Sequence, residues 1–299
     1  MKNFALTGVG GYIAPRHLKA IKETGNRLVA AFDVNDSVGV LDSYFPDAVF
    51  FTAAEPFEQY LQQLKNSGNP VDYLAVCSPN HVHEEHVLLG FRVGADVICE
   101  KPVVLTPASL TLLEKAAIAS GKKVSTIMQL RLHPSIVALK ERISKEPVSQ
   151  RYAVDVQYIT ARGQWYHNSW KGDTSKSGGI ATNIGIHLFD MLLWLFGAVK
   201  ENRVSLHTAE KASGRLVLEK ADVNWELSID ENDLPVSVRN EQKRIFRSLK
   251  INNEEIDFSD GLMTLHTASY EAILAGNGFC LETTAPSVRL VTDIRNTDL

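Results

Sequence analysis

The chain has 299 residues, 44% apolar and 22% charged, and its 31 Lys+Arg against 35 Asp+Glu leave a formal charge of −4. That length allows roughly two domains with cores of their own. The composition argues against extended disorder, a coiled coil or a membrane span, since no continuous apolar run approaches the ~18–20 residues that cross a bilayer, and the acidic balance carries no footprint for nucleic acid.

Through the first 127 residues, short apolar runs rich in β-branched residues alternate with segments of helical period, the pattern of successive βαβ units and a parallel sheet. Strands are predicted over 4–7, 28–33, 49–52, 73–76, 96–99 and 123–127, and helices over 15–24, 56–66, 84–93 and 107–120. Thr106 is placed to cap the last of these helices, with Pro107 at its first position. Six strands with crossover helices make a doubly wound α/β sheet.

The pattern changes after Met128. A helix-like stretch over 133–145 leads to a strand over 151–159, where Tyr152, Val154, Val156 and Tyr158 fall on every second position. A loop rich in glycine and aromatic residues, 163–179, precedes an apolar helix over 184–196 that Gly197 closes. Alternating segments between 204 and 251 predict a largely antiparallel sheet with helices on one side, and two last helices are predicted over 262–275 and 286–295. The expected layout is a dinucleotide-binding domain at 1–127 and an α+β domain at 128–299, without linker composition between them. Cys77, Cys99 and Cys280 contain no C-x-x-C pair, so they read as small buried hydrophobes in a reducing compartment. The apolar stretch after Met1 is too short for a signal peptide, and the expected location is the cytoplasm.

Three segments could carry chemistry. The first joins strand one to helix one and reads Gly8-Val9-Gly10-Gly11-Tyr12-Ile13-Ala14-Pro15-Arg16-His17. Its glycines allow a tight turn, with a pyrophosphate close to free N–H groups at the helix start. The third glycine of G-x-G-x-x-G is replaced by Ile13, and Gly8, Gly11 and Ala14 fit an expanded G-x-x-G-x-x-A better. Asp33 ends strand two, 19 residues after Ala14, where an acid accepts from both ribose hydroxyls of NAD and repels a 2′-phosphate. The plainer alternative is a glycine turn beside a solvated carboxylate.

The second segment is Ser78-Pro79-Asn80-His81-Val82-His83 after strand four, with Glu100-Lys101-Pro102 after strand five. Both lie at carboxyl ends of parallel strands, where open α/β sheets bind ligands. Lys101 there could act as a general base on a substrate hydroxyl or, alternatively, form a surface ion pair with Glu100. His81, His83 and His86 lack a carboxylate or cysteine at metal-ligand spacing, so no metal site is expected, and His83 reads as a helix-start or cofactor-edge hydrogen-bonder. The third segment places Asn183, His187 and Asp190 at i, i+4 and i+7, a polar stripe on an apolar helix. Before it, the loop offers the cations Arg162, Lys171 and Lys176, the ring surfaces Trp165, Tyr166 and Trp170, and the hydrogen-bonders Asn168 and Ser169. Arg131 and His133 follow strand six as further candidates for positioning substrate or cofactor.

The glycine turn ending in His17, the S-P-N-x-x-H segment, Glu100-Lys101-Pro102 and G-G-x-x-x-N-x-G-x-H-x-x-D over 178–190 together resemble the Gfo/Idh/MocA oxidoreductases across most of the chain. The wording of 11–17, 169–173, 181–185 and 232–235 is similar to the branch that dehydrogenates UDP-N-acetylglucosaminuronate at C3 in bacterial surface-polysaccharide pathways. The resemblance implies a Rossmann domain followed by an α+β domain that binds substrate and makes a homodimer or homotetramer, with the face of Tyr152, Val154, Val156 and Tyr158 contributing to that contact. It implies NAD held by Gly8, Gly11, Tyr12, Ile13, Asp33, Ser78, Asn80, His83, Glu100, Lys101 and Gln129. Lys101 and His187 are implied as catalytic residues, with Arg131, Arg162, Trp165, Asn168, Ser169, Trp170, Lys171, Asn183 and His187 on the substrate. Many relatives carry aspartate where this chain has Asn183, which leaves Lys101 the stronger candidate base. The implied reaction is NAD-dependent oxidation of a UDP-sugar acid in O-antigen synthesis, with 2-oxoglutarate a candidate for reoxidising NADH. The competing expectations are another sugar or inositol as substrate, or a catalytically silent NAD-binding regulator.

Overall fold

The computed structural model describes residues 1–147, 149–258 and 261–297. They form two compact units, Met1–Gln129 with Met263–Ala285, and Leu130–Leu262 with Pro286–Leu299.

The first unit is built on six parallel strands, β1 (Asn3–Thr7), β2 (Arg27–Phe32), β3 (Val49–Phe51), β4 (Tyr73–Val76), β5 (Asp96–Cys99) and β6 (Val124–Thr126), in the order β3-β2-β1-β4-β5-β6. The crossovers carry α1 (Ala14–Glu23), α2 (Val40–Tyr44), α3 (Ala54–Asn66), α4 (His83–Val93) and α5 (Pro107–Ser120). Strand order reverses between β1 and β4, and such a switch point opens a crevice at the carboxyl ends of the strands. Phe4, Ala5 and Leu6 of β1 have no exposed surface, as expected of a central strand covered on both faces. The cap on α5 forms as the sequence implies: the Thr106 side chain accepts the Ser109 N–H at 3.1 Å, and Gly121, at φ +64°, ends the helix. The short α2 has no counterpart among the predicted helices, since one turn gives too few positions to show a period.

In the second unit, α6 (Pro134–Lys145) leads into β7 (Tyr152–Thr160). The segment expected as a plain loop contains two single-turn helices, α7 (Gln164–His167) and α8 (Thr174–Ser177). A π-helical turn, Ala181–Gly185, then runs into α9 (Ile186–Phe196). The stretch Thr174–Phe196 is long and apolar enough to cross a membrane, although polar residues interrupt its apolar run. Of its most apolar window 78% is buried inside the chain, as in a core helix. Next come β8 (Val199–His207), β9 (Lys211–Leu218), β10 (Ala221–Ser228), α10 (Val236–Asn240), β11 (Ile245–Ile251) and β12 (Glu254–Glu255). The sheet order is β12-β11-β7-β10-β9-β8, with β7 parallel to β10 and every other pairing antiparallel.

The apolar face of β7 corrects one expectation. Tyr152, Val154 and Val156 are buried within the chain, and the Tyr152 ring packs 5.6 Å from Phe196 of α9. Tyr158 is half-buried, with the Arg247 guanidinium 4.8 Å over its ring. This face is therefore covered by the unit's own side chains and does not supply a partner surface. The alternate residues make polar rungs: Asn224 Nδ2 donates to Asp155, and Gln157 Nε2 to Glu226.

The last two helices are α11 (Leu265–Leu274) and α12 (Leu281–Arg295). In α11, Tyr270 is fully buried in the first unit and stacks on Phe4 of β1 at 5.8 Å. The sequence assigned this segment to the second domain because chain order alone does not reveal a return. Helix α12 starts before the expected proline start and holds Pro286 inside it.

Candidate active site

In the first unit, the turn after β1 has the form a phosphate cradle requires. Gly8 sits at φ +81°, and a Cβ there would lie 2.4 Å from the Ser78 nitrogen and 2.6 Å from the Cys77 carbonyl carbon. Only glycine lets this turn lie against the end of β4. The Gly8, Gly10 and Gly11 N–H groups donate to Phe32 O, Asp33 Oδ2 and Gly8 O at 2.8, 2.9 and 3.0 Å. Among the described residues the Tyr12 and Ile13 N–H groups take no partner. Helix α1 begins at this point without a side-chain cap and without an acid in its first turn. Two free N–H groups at an uncapped helix start favour an anion. Asp33 lies beside them, its Oδ1 accepting the Asn35 N–H at 2.9 Å, with lone pairs left for ribose hydroxyls. Gln129 Oε1 is buried and has no partner among the described residues, as suits an acceptor awaiting a ligand's donor. These groups fit a dinucleotide.

The loops after β4 and β5 are tied to each other. His83, the first residue of α4, is buried and places Nδ1 2.7 Å from Pro102 O and Nε2 2.8 Å from Ser78 O. A neutral ring donates to one of these carbonyls and lies against the other, so neither nitrogen is open to a cofactor. Burial pushes its imidazole down, and the two carbonyls oppose that shift. The Ser78 hydroxyl is hydrogen-bonded to His86 Nδ1 at 2.7 Å, and Asn80 is buried in the short turn Asn80–Val82. Burial lowers the His86 pKa to about 4.

Lys101 is half-buried, and its neighbour Glu100 is buried rather than solvated. Glu100 Oε1 lies 2.9 Å from both His17 Nε2 and His266 Nε2, and His17 Nδ1 lies 2.8 Å from the Tyr270 hydroxyl. Burial would push the Glu100 carboxyl up, but the bonds from the two histidines outweigh it and hold the group well below the usual carboxylate range. Burial lowers His17. Among the described residues, His17, Glu100 and His266 bring metal-type donor atoms within 4.8 Å of one another. The 2.9 Å contacts are hydrogen-bond lengths, closer than the ~3.3 Å between ligand atoms that zinc bonds of ~2.0–2.1 Å imply. The sequence offers no sign of His266 or Tyr270 in this role, because nothing marks α11 as returning to the first unit.

In the second unit, the π turn Ala181–Gly185 holds Asn183 and runs into the helix that carries His187 and Asp190. An inserted π turn shifts side chains around the helix and is frequent at functional sites. Asn183 Nδ2 donates to the buried Tyr166 hydroxyl at 3.0 Å, while His187 is half-buried on α9. Gly185 passes so near the β10 side chains that a Cβ would lie 2.6 Å from Leu227 Cδ1. Asp190 is 2% exposed and accepts from Arg131 Nε and Nη2 at 2.7 and 2.6 Å and from Ser287 Oγ at 3.2 Å. Burial pushes its carboxyl up, against the Arg131 pair. Arg131, expected at the substrate, thus has two of its nitrogens on Asp190.

The loop before the π turn is a shelf of rings and cations. The Arg162 guanidinium lies 5.9 Å from the centres of both Trp165 and Tyr166, and Lys171 Nζ is 4.3 Å from Trp170 and 5.8 Å from Trp165. Trp165 is 55% exposed. Arg162 Nε is buried without a partner among the described residues, a donor suited to an anion. Ser169 Oγ donates to Tyr166 O, and Asn168 is exposed at the end of α7.

Fold and site together define a nicotinamide-dependent oxidoreductase. The profile described as "Oxidoreductase family, NAD-binding Rossmann fold" matches residues 2–128, and its companion "C-terminal alpha/beta domain" matches 140–231, so the chain belongs to the Gfo/Idh/MocA oxidoreductases. The crystal structure of the WlbA (WbpB) dehydrogenase of Thermus thermophilus with NAD and alpha-ketoglutarate is 47% identical, covering 100% of this chain and 96% of that one, with a TM-score of 0.97. The same enzyme with NAD and UDP-GlcNAcA gives 47% and a TM-score of 0.96 over the same shares. Glucose-6-phosphate 3-dehydrogenase of Bacillus subtilis is 26% identical over 66% of this chain and 54% of its own length. D-glucoside 3-dehydrogenase of Escherichia coli is 26% identical over 47% of this chain and 40% of its own, so the matches span about half the length of these curated relatives.

Proposed function

We propose that this protein oxidises the C3 hydroxyl of UDP-N-acetylglucosaminuronic acid to the ketone in a cytoplasmic O-antigen pathway. The observation that carries this reading is the 47% identity, over the whole chain, to a dehydrogenase whose structure holds NAD and UDP-GlcNAcA. Bound NAD would supply the hydride acceptor. Tyr12 and Ile13 N–H would hold its pyrophosphate and Asp33 its adenosine ribose.

Lys101 accepts the hydroxyl proton as the C3 hydrogen leaves as hydride, so the alcohol loses two electrons and two hydrogens. His187 is the second candidate to hydrogen-bond the reacting oxygen. Arg162 and Lys171 offer charge-assisted donors for diphosphate and carboxylate, Trp165 and Trp170 offer stacking faces, and Asn168, Ser169 and Asn183 offer hydrogen bonds. Reduction of 2-oxoglutarate to the hydroxy acid would return the hydride and close a cycle, and a homodimer or homotetramer is the assembly the reading carries.

The test is the near-ultraviolet absorbance of NADH in purified protein given UDP-N-acetylglucosaminuronic acid, with and without added NAD and 2-oxoglutarate. Steady NADH formation means exchanging cofactor. A stoichiometric rise that 2-oxoglutarate reverses means resident cofactor. No signal in protein shown to bind NAD sinks the assignment and turns attention to glucosides, sugar phosphates or a silent regulator.

A further inference from the structure

We propose that the buried His17–Glu100–His266 cluster is a positioning device for Lys101, so that Glu100 acts through the backbone of the base and does not touch the cofactor. This rests on the reading of Lys101 as the base. Proton accounting fixes the direction of every bond. An ionised Glu100 only accepts, so both histidines must present Nε2–H to Oε1, each at 2.9 Å. A neutral His17 then has a lone pair at Nδ1, and the Tyr270 hydroxyl, 2.8 Å away, donates to it. His266 Nδ1 has no partner among the described residues, which suits a lone pair and not a buried N–H. In this arrangement no buried N–H of the cluster is left unmet.

The second carboxylate oxygen is taken by the backbone of the base. Glu100 Oε2 accepts the Lys101 N–H at 3.2 Å, and two residues along the chain the Pro102 carbonyl lies 2.7 Å from His83 Nδ1. The peptide before Lys101 is thus anchored through α1 and α11, and the peptide after Pro102 lies against α4. Because Glu100 is 6% exposed and already accepts from three N–H groups, it is poorly placed to receive a cofactor donor. A base held on a fixed backbone loses rate steeply when it shifts, by about 10²-fold for ~1 Å.

The test uses full-length E100Q, H266Q and H266N. Glutamine can return an N–H near the place of His Nε2, whereas asparagine is too short. The structure leads us to expect kcat for UDP-N-acetylglucosaminuronic acid to fall about 10²-fold in E100Q while KM and the calorimetric Kd for NAD stay within about twofold. H266Q should keep kcat within about threefold, and H266N should lose about tenfold. Hydrogen exchange at the Lys101 amide should be faster in E100Q than in the wild type, a readout that needs no substrate.

Undiminished kcat and unchanged exchange in E100Q would overturn the proposal. So would a Kd for NAD that weakens in step with kcat, or a stoichiometric transition metal in the purified protein. If E100Q fails to fold, the contrast between H266Q and H266N decides. A wild type inactive on the UDP-sugar refutes the functional reading separately, and the exchange comparison then still judges the positioning role.

Discussion

Replacing Asp190 with leucine should expose how far the second unit depends on one buried ion pair. Arg131 and Asp190 are 6% and 2% exposed and meet through two parallel bonds of 2.7 and 2.6 Å. Removing one partner leaves the other charge desolvated, which costs about 3–5 kcal/mol. At about 2–4 °C per kcal/mol for a domain of this size, Tm should fall by about 6–20 °C. The double variant Arg131→Met/Asp190→Leu removes the stranded charge as well and should recover all but about 1–2 kcal/mol. Thermal unfolding followed by near-ultraviolet circular dichroism reads both. The reasoning is refuted if the single variant loses less than about 1 kcal/mol, or if the double loses as much as the single. The same double variant tests the substrate role expected for Arg131. A tenfold rise in KM in a protein of recovered stability would mean that the guanidinium also reaches substrate; an unchanged KM would leave it purely structural.

Lowering the pH should destabilise the first unit before its carboxylates titrate. The unfolded chain protonates His86 near 6.5 and the folded one only at about 4, so the unfolded state binds more protons between these values and stability falls as pH falls. By linkage the loss is about 2 kcal/mol at pH 5 and about 3 kcal/mol below pH 4. His86→Asn keeps a hydrogen-bond partner for the Ser78 hydroxyl and should flatten the pH dependence of urea midpoints; equal slopes in both proteins would contradict this. Gly8→Ala should abolish NAD binding or folding, because the new methyl meets backbone and not a yielding side chain. Asp33→Ala should weaken NAD and narrow its advantage over NADP in competitive binding, and an unchanged preference would remove the carboxylate from the ribose site. Lys101→Ala should cut kcat about 10²–10⁴-fold while NAD still binds, and appreciable residual turnover would shift the base elsewhere.

The first unit was legible because its signals are local. Glycine and acid sit at strand ends, Thr106 and Gly121 bracket a helix, and β1 reads as an unbroken apolar run. What escaped the sequence was long-range. Tyr152, Val154 and Val156 alternate as any half-buried strand does, and periodicity does not say whether a helix of the same chain or another copy covers the face. The i, i+4, i+7 spacing of Asn183, His187 and Asp190 assumed an unbroken α-helix, and no distinctive residue announces the π turn over 181–185. His83 looked like a ligand contact because histidines near strand ends often are, yet two carbonyls take its ring. Glu100 was placed at the cofactor by its motif, while the partners that engage it, His17 and His266, lie 83 and 166 residues away.

The return of residues 263–285 to the first unit has a bearing on biosynthesis. The nascent chain finishes all six strands of the parallel sheet by residue 126, yet Tyr270 and His266 have not then been made. Until they arrive, His17 lacks one of its two hydrogen-bond partners, Glu100 lacks one of its three, and Phe4 of β1 lacks the Tyr270 ring. The N-terminal unit must therefore wait on the ribosome for nearly the whole message. A gene cut after codon 129 should yield a protein that captures NAD weakly and clings to chaperones, even though every strand of the nucleotide fold is present.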